Sequence, residues 1–233
     1  KTGGGGYPDE AAGLRWLGEV PGAPPVPGVV AVADTFLALE WVDSACLDEE
    51  SFGRQLATLH RAGGGRFGAL PPGGSDALAI GPVELPALES DSWAEVYADA
   101  RLLPLARRAR DKGALSGSGA AAVERVCSRL SDLSGPSDPP ARVHGDLWGG
   151  NVLAGYLIDP AAHVGHREVD LAMLELFGGP GARFKDAYAE AYPLAEGHRE
   201  RVGLWQLFPL LLHAVLFAGG YGARVEQVAA RYS

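Results

Sequence analysis

At 233 residues, 47% hydrophobic and 21% charged, the chain is long enough for one large domain or two unequal lobes around an ordinary globular core. Its formal net charge of −9 argues against a nucleic-acid partner, because phosphate backbones are held by basic faces, and it permits a cationic substrate. Two cysteines, Cys46 and Cys127, are too few for a disulfide framework or a four-ligand zinc site and suit a reducing cytoplasm.

The chain opens on Lys1 rather than Met and has no signal peptide, so it is expected to be part of a longer gene product. Residues 3–6 are four glycines; no Gly-Lys-Ser/Thr follows, so they read as linker and not as a phosphate-binding loop. A helix is expected over residues 10–18, with Asp9 as N-cap and Gly18 as stop. Glu10, Leu14 and Leu17 share one face of it. An acid on an inward face wants a cationic partner, unless it only complements the helix dipole in the first turn.

The Pro-rich residues 21–27 read as a rigid connection, followed by strands over 29–32 and 36–41 about Ala33-Asp34. Phe52, Leu56 and Leu59 then recur at helical spacing up to Gly63, with His60 beside them as a packing histidine. Residues 61–82 carry many Gly and Pro and read as a surface loop. Helical character resumes over 93–112, where Trp93, Val96, Tyr97, Ala100 and Leu103 form an inward stripe. Arg101, Arg107, Arg108, Arg110 and Lys112 read as a solvated basic face. Another amphipathic helix spans 120–133, and residues 134–140 form a linker.

Residues 142–160 read Arg-Val-His-Gly-Asp-Leu-Trp-Gly-Gly-Asn-Val-Leu-Ala-Gly-Tyr-Leu-Ile-Asp-Pro. Asp146, Asn151 five residues later, and Asp159 at the end of a second apolar run have the order and spacing of a phosphoryl-transfer site. In such a site Asp146 takes the proton of the attacking hydroxyl, while Asn151 and Asp159 hold the Mg²⁺ that bridges the phosphates of ATP. Val152-Leu153 and Tyr156-Leu157-Ile158 read as two short strands about Ala154-Gly155, a hairpin that would return Asp159 beside Asn151. Taken singly, these residues are equally turn formers. His163, His166, Arg167, Glu168 and Asp170 follow; without i, i+4 pairing they make a poor zinc site, and Asp170 is a candidate N-cap for residues 171–177. The apolar run 204–218, interrupted by Gln206, Pro209 and His213 and shorter than the ~18 residues of a membrane span, reads as a buried core helix.

The segments HGDLWGGN, LIDPAAHVGHREVDLAMLELFGG and LWQLFPLLLHAVLFAGGYG, with EAAGLRWL, LALEWV and FGRQLATLHRAG earlier, resemble the fructosamine kinase (ketosamine kinase) family. HGDLW joined to GHREVDLAM carries the specificity; HGD alone indicates only the wider superfamily of aminoglycoside phosphotransferases and protein kinases. The resemblance implies a two-lobe protein-kinase-like α+β fold, with a small β-containing lobe over residues 1–42 and a mostly helical lobe over 43–233. It implies ATP and Mg²⁺ as cofactors, a ketosamine bound to a small molecule or protein as substrate, no nucleic-acid or membrane partner, and a cytoplasmic location. It places Lys1 opposite Glu10 as the pair that positions the ATP phosphates. Glu40, Trp41 and Val42 fall at the family's hinge, where backbone groups read adenine, or form an inter-lobe strand with no ligand. Asp170 would brace the catalytic loop. Trp148, His166 and Glu168 are candidates for the substrate side, an aromatic face and polar groups for a sugar; Trp148 serves equally well as packing. Relative to the family, the strands and phosphate-covering turn before Lys1 are absent, leaving the small lobe incomplete, and the links across residues 3–9 and 152–158 are short. A phosphotransferase for aminoglycosides or other amine alcohols, a non-catalytic kinase-like binding module, and a His/Asp hydrolase are the rival readings.

Overall fold

A computed structural model describes residues 1–2 and 5–233; Gly3 and Gly4, half of the expected linker, lie outside the described residues. Helix α1 (Tyr7–Gly18) begins three residues earlier than the sequence suggests. Gly6, at φ 76°, makes the left-handed entry, and Pro8 fits the first turn, where its missing N–H costs nothing. Asp9 is therefore no cap: its carboxylate accepts instead from the Ser75 backbone N–H (2.6 Å) and hydroxyl (3.0 Å). Strands β1 (Val29–Ala33) and β2 (Phe36–Leu39) pair antiparallel with Ala33 opposite Phe36, so the turn is Asp34-Thr35, one residue later than expected. Lys1 lies along β2, exchanging backbone bonds with Leu37 (2.7 and 3.1 Å). Tyr7, Ala11 and Leu14 bury against Leu37, and this small core holds the sheet to α1.

Helix α2 (Glu49–Arg61) is capped by Asp48, which accepts from the Ser51 N–H at 3.2 Å. It buries Phe52, Leu56 and Leu59, the expected stripe. Residues 61–82 are not all loop: β3 (Ala77–Ile80) and β4 (Val83–Pro86) form a hairpin about Gly81-Pro82. Leu78, Ile80, Val83 and Leu85 alternate inward, a period-2 signal hidden by the Gly and Pro around it.

The 93–112 helix is built in three pieces: α3 (Trp93–Tyr97), a π-helical turn (Ala98–Leu102) and α4 (Leu103–Asp111). Pro104 has no N–H for the Ala100 carbonyl one turn back, and the Arg101 guanidinium donates to that oxygen instead (3.1 Å). The wide turn shifts the helical phase, so Arg101 is 1% exposed and not on the solvated basic face, while Leu103 is only half-buried. The expected helix over 120–133 breaks at Arg129 into α5 (Gly117–Ser128) and α6 (Leu130–Leu133).

Strands β5 (Ala141–Val143) and β8 (His163–Gly165) pair antiparallel and flank a second hairpin, β6 (Val152–Leu153) and β7 (Tyr156–Leu157). Helices α7 (Glu168–Leu176), α8 (Ala182–Ala191), α9 (His198–Phe217) and α10 (Tyr221–Ala229) complete the chain. Asp170 sits inside the first turn of α7 and not at its cap. Pro209 inside α9 leaves the Trp205 carbonyl without its N–H partner. The Tyr97 hydroxyl fills the gap, lying 2.9 Å from Trp205 O and 3.0 Å from Leu204 O and accepting from the Phe208 N–H at 3.2 Å. Leu204, Leu207, Leu211, Leu102, Val123 and Val225 form the main core around this joint. Among the described residues no helix is long and apolar enough to cross a membrane.

Candidate active site

The pairing of β5 with β8 brings residues 144–146 beside residues 158–162, and hydrogen bonds fix the crossing. The Ala161 N–H donates to the His144 carbonyl at 2.9 Å. Gly145 has φ 80°, and a Cβ there would run into the Ala161 carbonyl, so only glycine fits between the two segments. His144 joins them again through its ring. Nδ1 accepts from the Asp146 N–H (3.2 Å) and Nε2 donates to Ile158 O (2.9 Å), which sets one neutral tautomer. Burial pushes its imidazole below the usual range, against the pull of Asp170 and Asp146.

Asp170 holds the loop from behind, as the resemblance implied. One carboxylate oxygen accepts from the His144 N–H (2.7 Å) and from His60 Nε2 (3.2 Å), and the other from the Gly145 N–H (2.9 Å). Burial raises this carboxyl, yet the bonds from His60 and His144 outweigh it and keep Asp170 below the ordinary carboxylate range. His60 is the satisfied packing histidine expected, its Nδ1 taking the Tyr188 hydroxyl at 2.8 Å.

Asp146 is half-buried. Burial raises its pKa, partly offset by His144, by a bond from Asn151 and by the field of His213. Asn151 Nδ2 donates to both the Asp146 carbonyl (2.8 Å) and its carboxylate (3.1 Å), so the atom Asn151 has to offer a cation is Oδ1. The β6–β7 hairpin has the expected two-residue turn, with Ala154 at φ 52° and Gly155 at φ 91°, and the Ile158 N–H returns to Asn151 O at 3.1 Å. Asp159 follows directly. Lys1 Nζ bridges Glu10 Oε1 at 2.9 Å and the Asp159 carboxylate in close contact. Lys1, Glu10, Asp146 and Asp159 line one cavity of about 340 Å³, walled also by Gly6 and Leu78.

Other expected site residues do not reach this cleft. The Glu40 N–H is used on Gly28 O (2.8 Å), its carboxylate faces the Gly28 N–H (3.4 Å), and Trp41 is 85% exposed with its indole on Asp43. Neither these two nor Val42 is among the cavity's lining residues. His166 and Glu168 are buried in the large lobe, which corrects their placement on the substrate side. His166 stacks on Trp205 at 5.0 Å, and Glu168 binds Arg201 bidentately (2.6 and 3.0 Å) and the Trp205 indole (2.8 Å). A buried carboxylate that already holds three donors and matches the charge of Arg201 is committed to the fold. Trp148 does stay half-exposed beside the loop, its indole lying over Gly150, where a Cβ would collide with the ring.

Sequence reasoning treated His213 only as an interruption of a core helix. In the structure it stacks with Phe177 (4.7 Å), Tyr221 (5.0 Å) and Phe217 (5.3 Å), and its charge is felt at Asp146. The loop carrying Trp148 abuts the same region, for a Cβ on Gly149 would lie 2.8 Å from Gly178 O. A polar residue in a run otherwise broken only by Gln206 and Pro209 was the available signal.

The family model and the curated relatives agree on one family. The family model described as fructosamine kinase matches residues 5–232. A probable ketoamine kinase of Synechocystis sp. is 37% identical over 205 residues, 83% of this chain and 66% of that protein. Another from Lactiplantibacillus plantarum is 33% identical over 234 residues, covering 97% and 81% respectively. A candidate fructosamine-3-kinase crystal structure from Thermobifida fusca superposes with a TM-score of 0.86 at 46% identity, covering 96% of this chain and 79% of that one. A choline/ethanolamine kinase family protein from Mesorhizobium loti shares the fold alone, with a TM-score of 0.58 at 16% identity and coverage of 96% and 77%. The chain thus spans between 66 and 81% of the length of these proteins.

Proposed function

The chain belongs to the fructosamine kinase family, with the two-lobe protein-kinase-like fold, and from that premise we propose that it transfers the γ-phosphoryl group of ATP to a sugar hydroxyl of ketosamines. The observation that carries the reading is the convergence of Asp146, Asp159, Lys1 and Glu10 on one cleft. Residues 1–42 act as the small lobe and 43–233 as the large one.

In this reading Asp146 accepts the proton of the incoming hydroxyl. Burial raises its pKa above the ordinary carboxylate value, which makes it a stronger base for that proton. Asn151 steers that carboxylate through Nδ2. The donor set fits Mg²⁺: Asn151 Oδ1 and the Asp159 carboxylate are hard oxygen ligands, few enough to leave coordination positions for phosphate and water. Bound there, Mg²⁺ would neutralise charge on the transferring phosphoryl group. Lys1, positioned by Glu10, supplies a cation for the phosphates. The exposed Trp148 ring and the stacked Phe177–His213 pair are separate aromatic faces, each suited to the apolar face of a sugar or to an amine cation. The phosphorylated adduct is then unstable and releases its amine, which amounts to deglycation.

The test is incubation of the purified chain with Mg·ATP and, in parallel, fructoselysine, ribuloselysine and kanamycin. Phosphate should appear on the ketosamines and not on kanamycin. Transfer to kanamycin alone, or ketosamine binding without ATP turnover, would replace this reading with an aminoglycoside phosphotransferase or a binding module.

A further inference from the structure

A second, much smaller cavity lies behind the catalytic loop, lined by Trp93, Arg101, Gly145, His163, Asp170 and Trp205 among others. Its free space is about 10 Å³, the room of roughly one water-sized particle. Arg101 is 1% exposed, and only its Nη1 has acceptors, the carbonyls of Pro86 (3.2 Å) and Ala100 (3.1 Å). Nε and Nη2, the edge of the guanidinium that takes an anion side-on, meet no acceptor among the described residues, and neither does Trp93 Nε1.

Two features make this more than a local packing fault. The cation has no paired carboxylate among the described residues: its bonds go to carbonyls alone, and burial lowers its pKa only to about 10, so it stays charged at neutral pH. The Asp170 oxygens that border the same cavity are already used by His60, His144 and Gly145. His163 stays neutral there, burial and the field of Arg101 holding it at about 4. An isolated buried cation is among the costliest features a fold can carry, and unpartnered donors add to it. The π-helical turn is also what turns Arg101 inward, and such turns concentrate at functional sites.

Three unpartnered donors on and beside a buried guanidinium, with room for one small particle, point to the occupant. We propose that this cavity is a binding site for a single monoatomic anion of the halide class, chloride in ordinary media, held between the Nε/Nη2 edge of Arg101 and the Trp93 indole N–H. Water would meet the donors and leave the charge standing; a carboxylate or phosphate exceeds the space. The cavity wall includes Gly145, so an occupant held by Arg101 and Trp93 backs the loop that carries Asp146, while the Asp170 oxygens are turned to His60, His144 and Gly145.

The test needs no variant at its first step. Crystals of this chain grown in bromide should give one buried anomalous peak within bonding distance of Arg101 and Trp93; no peak there at full bromide exchange overturns the site. In solution at constant ionic strength, the unfolding midpoint should rise saturably when gluconate is replaced by chloride or bromide. Arg101→Met, which keeps the apolar stem and removes the charge, should abolish that dependence. Equal midpoints of the unsubstituted chain in gluconate and chloride would equally overturn the proposal, whatever the fate of the variant.

Discussion

In the proposed reaction Asp146 is the residue on which the chemistry turns, and its surroundings make two expectations. Asp146→Asn should lower turnover about 10²–10⁴-fold, the usual worth of a positioned base, while Mg·ATP binding measured by calorimetry is retained. Equal loss of both would remove the base role. In the unsubstituted enzyme the base is active when deprotonated and its pKa is raised, so kcat/KM should fall as pH drops through a limb above the ordinary carboxylate range. Glu168→Gln should act on the fold: it leaves Arg201 buried beside a neutral amide, and unfolding in denaturant should come about 3–5 kcal/mol earlier. The hairpin that returns the chain from Asn151 to Asp159 was legible because two short apolar runs about Ala154-Gly155 are a local signal. His166 and Glu168 were misplaced because a polar residue in sequence looks the same whether it faces a ligand or an internal partner such as Arg201.

The elements that carry the site rest on two unusual turns. Ala154 holds φ 52° in the β6–β7 turn, where a Cβ costs about 1–2 kcal/mol, and both central residues have positive φ, the form that Asn-Gly prefers. Ala154→Asn should therefore stabilise the chain by about 1 kcal/mol, seen as a higher thermal midpoint. At the end of α3, just before the π-helical turn, Tyr97→Phe would remove the hydroxyl that meets the Trp205 carbonyl and the Phe208 N–H of α9, at about 1–3 kcal/mol. A cost near zero would show that α9 closes its own ladder. The hairpin was readable because alternation and a Gly turn are local signals. The inward Arg101 was not, because the phase shift arises from Pro104 three residues on and from what α9 presents opposite. β3 and β4 escaped notice for a related reason: their alternation is four residues long and is outweighed by neighbouring Gly and Pro.

At the scale of the whole molecule, Lys1 joins an acid of α1 to an acid of the β7–β8 connection, so the cleft is spanned by one cation. Mg·ATP should raise the unfolding midpoint of the chain, and Lys1→Met should weaken that rise while leaving the midpoint without nucleotide nearly unchanged, since the pair is substantially exposed. The helical lobe was largely legible because apolar periodicity over ten or more residues is a strong signal; the placement of residues 40–42 was not, since a backbone reader leaves no mark on side-chain choice. The short hairpin between Asn151 and Asp159 has one more consequence: it leaves no slack. Two paired residues on each side and a two-residue tip make a rigid ruler, and lengthening the tip by a single residue would slip the register and swing the downstream carboxylate to the opposite face. Insertions at residues 154–155 should thus silence the protein while leaving it folded.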